Sequence, residues 1–348
     1  MGQRIAIVLF NLGGPDDQAA VQPFLQNLFS DPAILRVPGF VRWMLARLIS
    51  RTRAKSARAN YAKMGGGSPL VPQSLAQGAA LEAAMAQVEG FGDATIKTFL
   101  AMRYWKPFTE DAVAAVKAFA PDQIVLLPLY PQFSTTTTDS SLKAWREAGG
   151  PPAKLICCYP DAEGFLAAHV QSVMETWAAA ASPQKVRILW SAHGLPEKII
   201  AEGDPYQKQV EESVAALKPL LPDAFEHTIC YQSRVGPLKW IGPSTEEALA
   251  EAAKDQIGVI VVPIAFVSEH IETLVELDEE YAEKAHELGV PFYLRAPALG
   301  TRALFIEALA QMTADSLRGT EDVMAVRTGG CVVACPACPR GYEGGCKA

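Results

Sequence analysis

The sequence predicts an α/β protein of two similar doubly wound, Rossmann-like domains, each built on a four-stranded parallel sheet, with a cysteine-rich tail. Three observations carry this expectation. Short apolar runs bounded by turn residues alternate with longer segments of helical periodicity. The runs fall into two sets of four around Gly149-Gly150-Pro151-Pro152. Four of the seven cysteines crowd into the last eighteen residues.

The first set of runs is Ile5–Phe10, Thr95–Met102, Gln123–Leu129 and Lys154–Tyr159; the second is Val186–Trp190, His227–Tyr231, Gly258–Ile264 and Pro291–Arg295. Runs this apolar read as strands buried on both faces. Between them, Thr109–Phe119, Gly164–Ala181, Pro205–Leu217, Ser244–Lys254 and Glu272–Leu288 carry apolar residues at helical spacing, which completes βαβ units. The expected domains are 1–150 and 151–298. A helix within 299–327, over Arg302–Leu317, is expected to rejoin the first domain, and 328–348 is a Gly- and Cys-rich tail that a metal centre would order. No internal sequence repeat accompanies the two halves.

With 49% hydrophobic and 20% charged residues, the 348-residue chain has the composition of a folded globular protein. A formal charge of -7 speaks against a nucleic-acid binder. Met1-Gly2-Gln3-Arg4 leads straight into Ile5–Phe10 with no export signal, and no apolar run reaches about 18 residues. A cytoplasmic protein, touching membranes only peripherally, is therefore expected. Its cysteines should be thiols or metal ligands.

In open parallel sheets, ligands sit beyond the carboxyl ends of the strands. Ser191-Ala192-His193-Gly194-Leu195-Pro196 places His193 there, where a neutral imidazole accepts a proton or binds a metal; a hydrogen-bonded structural histidine is the alternative. After Gly258–Ile264 comes Ala265-Phe266-Val267-Ser268-Glu269-His270-Ile271-Glu272, then Glu276. A helix starting near Ser268 would align Glu269, Glu272 and Glu276 on one face, able to line a path or share a cation. A solvated acidic first turn, favoured by the helix dipole, is the competing reading. Asn11-Leu12-Gly13-Gly14-Pro15, Arg103-Tyr104-Trp105 and Tyr130-Pro131-Gln132-Phe133-Ser134 share the strand-end location, but no G-x-G-x-x-G follows the first run.

Gly65-Gly66-Gly67-Ser68-Pro69-Leu70, Ser191–Pro196, Gln232-Ser233-Arg234-Val235-Gly236-Pro237 and Phe266–Leu274 occur in one order along the chain and together resemble the ferrochelatase family. The resemblance implies a two-domain lyase that distorts protoporphyrin IX in an interdomain cleft and exchanges two pyrrole protons for ferrous iron in haem biosynthesis. By the same resemblance, His193 takes a pyrrole proton or contacts the iron, and Glu272 is its carboxylate partner. Glu269, His270 and Glu276 continue a polar path. Tyr61, Ser68, Arg103, Tyr104, Leu12, Phe266 and Trp240 hold or border the porphyrin. Leu12 stands where some relatives have methionine, which tells against a sulfur–metal contact there.

Pro38-Gly39-Phe40-Val41-Arg42-Trp43-Met44-Leu45-Ala46-Arg47-Leu48-Ile49 is bulky, apolar and regularly spaced with arginines, the pattern of a helix at a membrane interface; a core helix is the alternative. The resemblance favours the lipid reading for this 37–49 lip and suggests a homodimer. The tail spacing C-x3-C-x2-C-x7-C, from Cys331 to Cys346, suits zinc or iron–sulfur ligation equally. The resemblance implies a 2Fe–2S cluster held by Cys335, Cys338 and Cys346 with an internal fourth ligand. Thr135 occupies the internal position used by animal enzymes, so the expected fourth ligand is Cys158, with Cys331 as the alternative.

Overall fold

The computed structural model describes residues 2–181, 185–233 and 238–326. Two compact units are present among the described residues: 2–130, 134–157 and 309–324 form one, and 131–133, 158–308 and 325–326 form the other. The division runs through the end of a strand at Cys157/Cys158 and through a helix at Leu309, rather than at the Gly149–Pro152 break.

The first unit holds a five-stranded sheet in the order β2-β1-β3-β4-β9. Its strands are β1 (Arg4–Asn11), β2 (Thr95–Met102), β3 (Gln123–Pro128), β4 (Lys154–Cys158) and β9 (Val323–Ala325). The sequence reading gave this sheet four strands. The fifth, β9, is three residues long, in the short apolar run Val323-Met324-Ala325-Val326 that the sequence reading passed over; backbone bonds from Leu155 N to Asp322 O (2.7 Å) and from Val326 N to Cys158 O (3.0 Å) tie its segment to the β4 edge. β1 is the centre: Ile5 through Phe10 are fully buried, with β2 and β3 pairing parallel on either side. Helices α1 (Val21–Ser30), α2 (Gly39–Lys63), α3 (Leu70–Met85), α4 (Thr109–Phe119) and α5 (Thr138–Glu147) complete the unit.

The second sheet is β6-β5-β7-β8, with β5 (Val186–His193), β6 (Phe225–Gln232), β7 (Gly258–Pro263) and β8 (Tyr293–Arg295) all parallel. Its order repeats that of β2-β1-β3-β4, so the two units share one topology without sharing a visible repeat. Helices α6 (Glu163–Ala179), α7 (Glu197–Ala201), α8 (Tyr206–Leu217), α9 (Thr245–Lys254) and α10 (Tyr281–Leu288) flank these strands, and α11 (Ala303–Arg318) follows. A capping box starts α9: Glu247 N–H donates to Ser244 Oγ and Ser244 N–H donates to Glu247 Oε2 (3.1 and 2.6 Å). α10 stops at Gly289, whose φ of 80° suits a residue without Cβ.

In each sheet the connections leave the central strand in opposite directions, on either side of β1 and of β5. The crevice at such a switch point is where doubly wound folds bind ligands. For the second unit, that rule selects the carboxyl ends of β5 and β7.

Candidate active site at the ends of β5 and β7

β5 runs three residues further than its apolar stretch suggests, because Ser191, Ala192 and His193 continue the ladder to β6 opposite Cys230, Tyr231 and Gln232. His193 thus stands on a strand. Gly194 follows, where an added Cβ would lie 2.9 Å from Gln232 O and 3.3 Å from the Trp240 ring, so the close passage of these segments requires glycine. Trp240, one of the expected porphyrin contacts, thereby packs beside the His193 loop.

His193 Nδ1 lies 2.8 Å from Glu272 Oε2. Glu272 opens a π-helix, Glu272–Glu280, where the expected α-helix from Ser268 does not form. Its wider turn shows in the bond from Tyr281 N–H to Glu276 O, five residues back. Gln232 Nε2 donates to both Glu272 O (2.9 Å) and Glu276 Oε2 (3.1 Å), and Ser233 Oγ donates to the same Glu276 oxygen (2.6 Å). Gln232 is itself held by Ser191, whose hydroxyl donates to its Oε1 at 2.7 Å. The result is a tight group of His193, Glu272 and Glu276 braced by the end of β6. Tyr206, at the start of α8, lies close to the His193 backbone.

The electrostatics divide the three groups. Burial opposes charge on His193, but Glu272, its hydrogen bond and Glu276 outweigh it and raise the imidazolium pKa. Burial likewise opposes charge on Glu272, yet His193 holds it ionised, with a pKa lowered to about 2. Glu276 is pushed up to about 7, by burial first and then by the Glu272 charge. The pairing thus favours the charged forms of both His193 and Glu272, and Glu276 is the group pushed toward neutrality.

His270 is buried beside them, its pKa lowered mainly by burial. Its Nδ1–H donates to Ser268 O (3.1 Å), leaving Nε2 as an acceptor, and Phe266 packs against the ring at 4.6 Å. Glu269 is not brought to this group. Its Oε1 accepts from Arg295 Nη1 (2.7 Å) and from Ala298 N–H (2.9 Å), with Arg295 also bound to Asp278. Burial opposes its charge, but Arg295 wins and keeps Glu269 ionised. The three-carboxylate alignment fails because the helix starts after Glu269, not before it.

In the first unit, Leu12 is half-buried between Asn11, which donates to Ser74 Oγ (3.1 Å), and Gly13, at φ 82°. Ser68 is partly exposed and receives Leu70 N–H on its hydroxyl (3.3 Å). Tyr61 and Tyr104 are buried, and the Tyr104 hydroxyl donates to Asp31 (2.8 Å). The neighbouring Arg103 keeps 23% of its side chain exposed.

Sequence reading did not single out Tyr206, Asp31 or Arg295, and it quoted Gln232 and Ser233 only within a motif. Gln232, Ser233 and Arg295 had a signal, as polar residues closing apolar strands; Tyr206 and Asp31 had none.

Cys158 ends β4, buried, with its sulfur receiving Gln209 Nε2–H at 3.6 Å. Cys331, Cys335, Cys338 and Cys346 lie outside the described residues, as do Arg234–Pro237.

A family model described as ferrochelatase matches residues 4–317. Relatives include a ferrochelatase of Caulobacter vibrioides, 58% identical over 91% of both chains, and one of Hyphomonas neptunium, 50% identical over 99% of this chain and 95% of that one. Among solved structures, SirB from Bacillus subtilis with Fe3+ is similar in fold, with a TM-score of 0.51 over 91% of this chain and 96% of that one, at 13% identity. A match of this length, with the same fold in a solved neighbour, leaves one conclusion: the chain belongs to the ferrochelatase family.

Proposed function

We propose that this enzyme inserts ferrous iron into protoporphyrin IX to form haem, and that His193, Glu272 and Glu276 carry out the exchange of two pyrrole protons for the metal. The observation that supports it is the contrast between neighbours: an ionised Glu272, held by His193, beside a Glu276 whose pKa is about 7. Two pyrrole protons must leave as a dication enters, so the site needs an anionic attractor and an acceptor poised near the working pH. Glu272 supplies the first and Glu276 the second, with neutral His270 Nε2 extending the path. His193, 38% exposed, is the member of the pair open to a ligand; in its deprotonated form the imidazole accepts from a pyrrole or binds the iron, while Glu272 stays ionised. Glu272→Gln keeps shape but removes the anion, so it should lower kcat about 10²–10⁴-fold with porphyrin affinity little changed. Equal loss in both, by kinetics and fluorescence titration, would point to a structural role.

The finer features of the proposal rest on separate observations. Phe40, Trp43, Met44 and Leu48 are exposed along α2, with the Arg47 guanidinium 4.9 Å from the Trp43 ring, which supports a lip seated in a lipid interface. No helix among the described residues is long and apolar enough to cross a membrane. Self-association as a homodimer rests on the family resemblance, and sedimentation tests it.

For the 2Fe–2S cluster, the residue available to a test of fit is Cys158. A buried sulfur that already receives an N–H suits a thiolate ligand, and Val326, five residues before Cys331, is hydrogen-bonded to the Cys158 carbonyl. Cys158, Cys335, Cys338 and Cys346 would hold the cluster, with Cys331 as the alternative fourth ligand. Bound there, it supplies a one-electron centre that also cross-links the tail. Cys158→Ser should bleach the visible bands of the purified protein and Cys331→Ser should not; colourless protein with one zinc per chain would defeat the cluster.

A further inference from the structure

Asp31 follows α1 and is 4% exposed, yet it is an anion with four donors. Its Oδ2 accepts from the Tyr104 hydroxyl (2.8 Å), the Ser140 hydroxyl (2.7 Å) and Arg103 Nη2 (2.7 Å), while Oδ1 accepts from Ala33 N–H (2.8 Å). Arg103 is gripped a second time, because its Nε donates to Ser140 Oγ at 2.7 Å. Its backbone is fixed as well: Arg103 N–H donates to Asn11 O and Tyr104 N–H to Leu12 O, both at the end of the central strand β1. The Nε–Nη2 side of the guanidinium is thus consumed internally. Nη1 has no hydrogen-bond partner among the described residues, and the side chain keeps 23% of its surface exposed.

We propose that Asp31 is the positioning residue for Arg103: with Ser140, it orients the guanidinium so that its free Nη1 end meets one carboxylate of the porphyrin. The inference rests on the reading of Arg103 as a porphyrin contact. Two consequences distinguish it from a general stabilising role. Asp31 offsets most of the guanidinium charge, so Arg103 contributes direction rather than bulk attraction. An arginine held in one orientation before substrate arrives also spends less ordering entropy on binding. An asparagine at 31 has one carbonyl for the three donors at Oδ2, and its amide would face Ala33 N–H, donor against donor. Arg103 would then be loosened.

The test compares protoporphyrin with its dimethyl ester, both in detergent, and reads the acid-to-ester ratio of kcat/KM, which a loss of folded protein cannot move. Asp31→Asn should lower that ratio about tenfold, Arg103→Leu should lower it at least as far, and the double variant should fall no further than Arg103→Leu, since coupled residues are not additive. Ser140→Ala, a milder change, should lower the ratio about threefold and carries the test if Asp31→Asn does not fold. Asp31→Asn or Ser140→Ala with an unchanged ratio, while Arg103→Leu changes it, would overturn the role given to Asp31. An unchanged ratio in Arg103→Leu would overturn the carboxylate contact itself, and the inference with it.

Discussion

At the scale of single residues, what decides the chemistry is that three neighbouring groups are driven apart in protonation. Glu272 and His193 stabilise each other's charge; Glu276, one turn on, bears the cost of lying beside Glu272 and keeps its proton up to about pH 7. Turnover should therefore rise with pH through that value as Glu276 becomes able to accept, and Glu276→Gln should flatten the rise; an unchanged profile would remove Glu276 from the proton path. Stability gives an independent sign. Glu276 has its folded pKa raised from 4.5 to about 7, so the folded state binds more protons in that window and loses stability as pH climbs through it. Glu276→Gln should weaken that loss, visible as a smaller difference in melting temperature between pH 5 and pH 8. Much of this site was legible in the sequence, since His193, His270 and Glu272 stand just past apolar strands. What was not legible is the direction of each pKa, which depends on burial and on His193, Glu272 and Glu276 meeting from different elements.

Among elements, the π-helix and α2 matter most. Apolar spacing announced a helix over Glu272–Leu288 but cannot distinguish an α from a π start, because the difference lies in which carbonyl each N–H finds; here Gln232 occupies the Glu272 carbonyl. That displacement leaves Glu269 outside the turn and hands it to Arg295. For α2, the most exposed apolar residues are Phe40 (72%), Trp43 (54%) and Leu48 (59%), whereas Leu45 is half-buried and Ala46, Ser50 and Ala54 are packed inward. A core helix would not leave three such side chains in water. Burying each in lipid is worth about 1.5–3 kcal/mol, so Phe40, Trp43 and Leu48 changed together to serine should abolish flotation with anionic vesicles while sparing activity on detergent-solubilised porphyrin. Vesicle binding unaffected by the triple change would reject the lip.

At the scale of the whole molecule, eight of the strands were written in the sequence as apolar runs, most plainly β1, β3 and β7, where burial on both faces leaves little room for polar residues. The ninth was passed over because its apolar run, Val323-Met324-Ala325-Val326, is only four residues long and sits at a sheet edge beside β4. The shared order of the two sheets is equally invisible in sequence, as topology depends on strand neighbours and not on residue identity. It nevertheless selects the reactive end of the second sheet, and the family's iron chemistry fits what stands there. The most direct test is anaerobic ferrous-iron insertion, followed by the loss of protoporphyrin fluorescence and the rise of haem absorbance, in the wild-type protein and in His193→Ala. The wild-type protein should form haem, and His193→Ala should bind porphyrin yet turn over about 10²–10⁴-fold more slowly. Haem formation by His193→Ala at the wild-type rate would contradict the account.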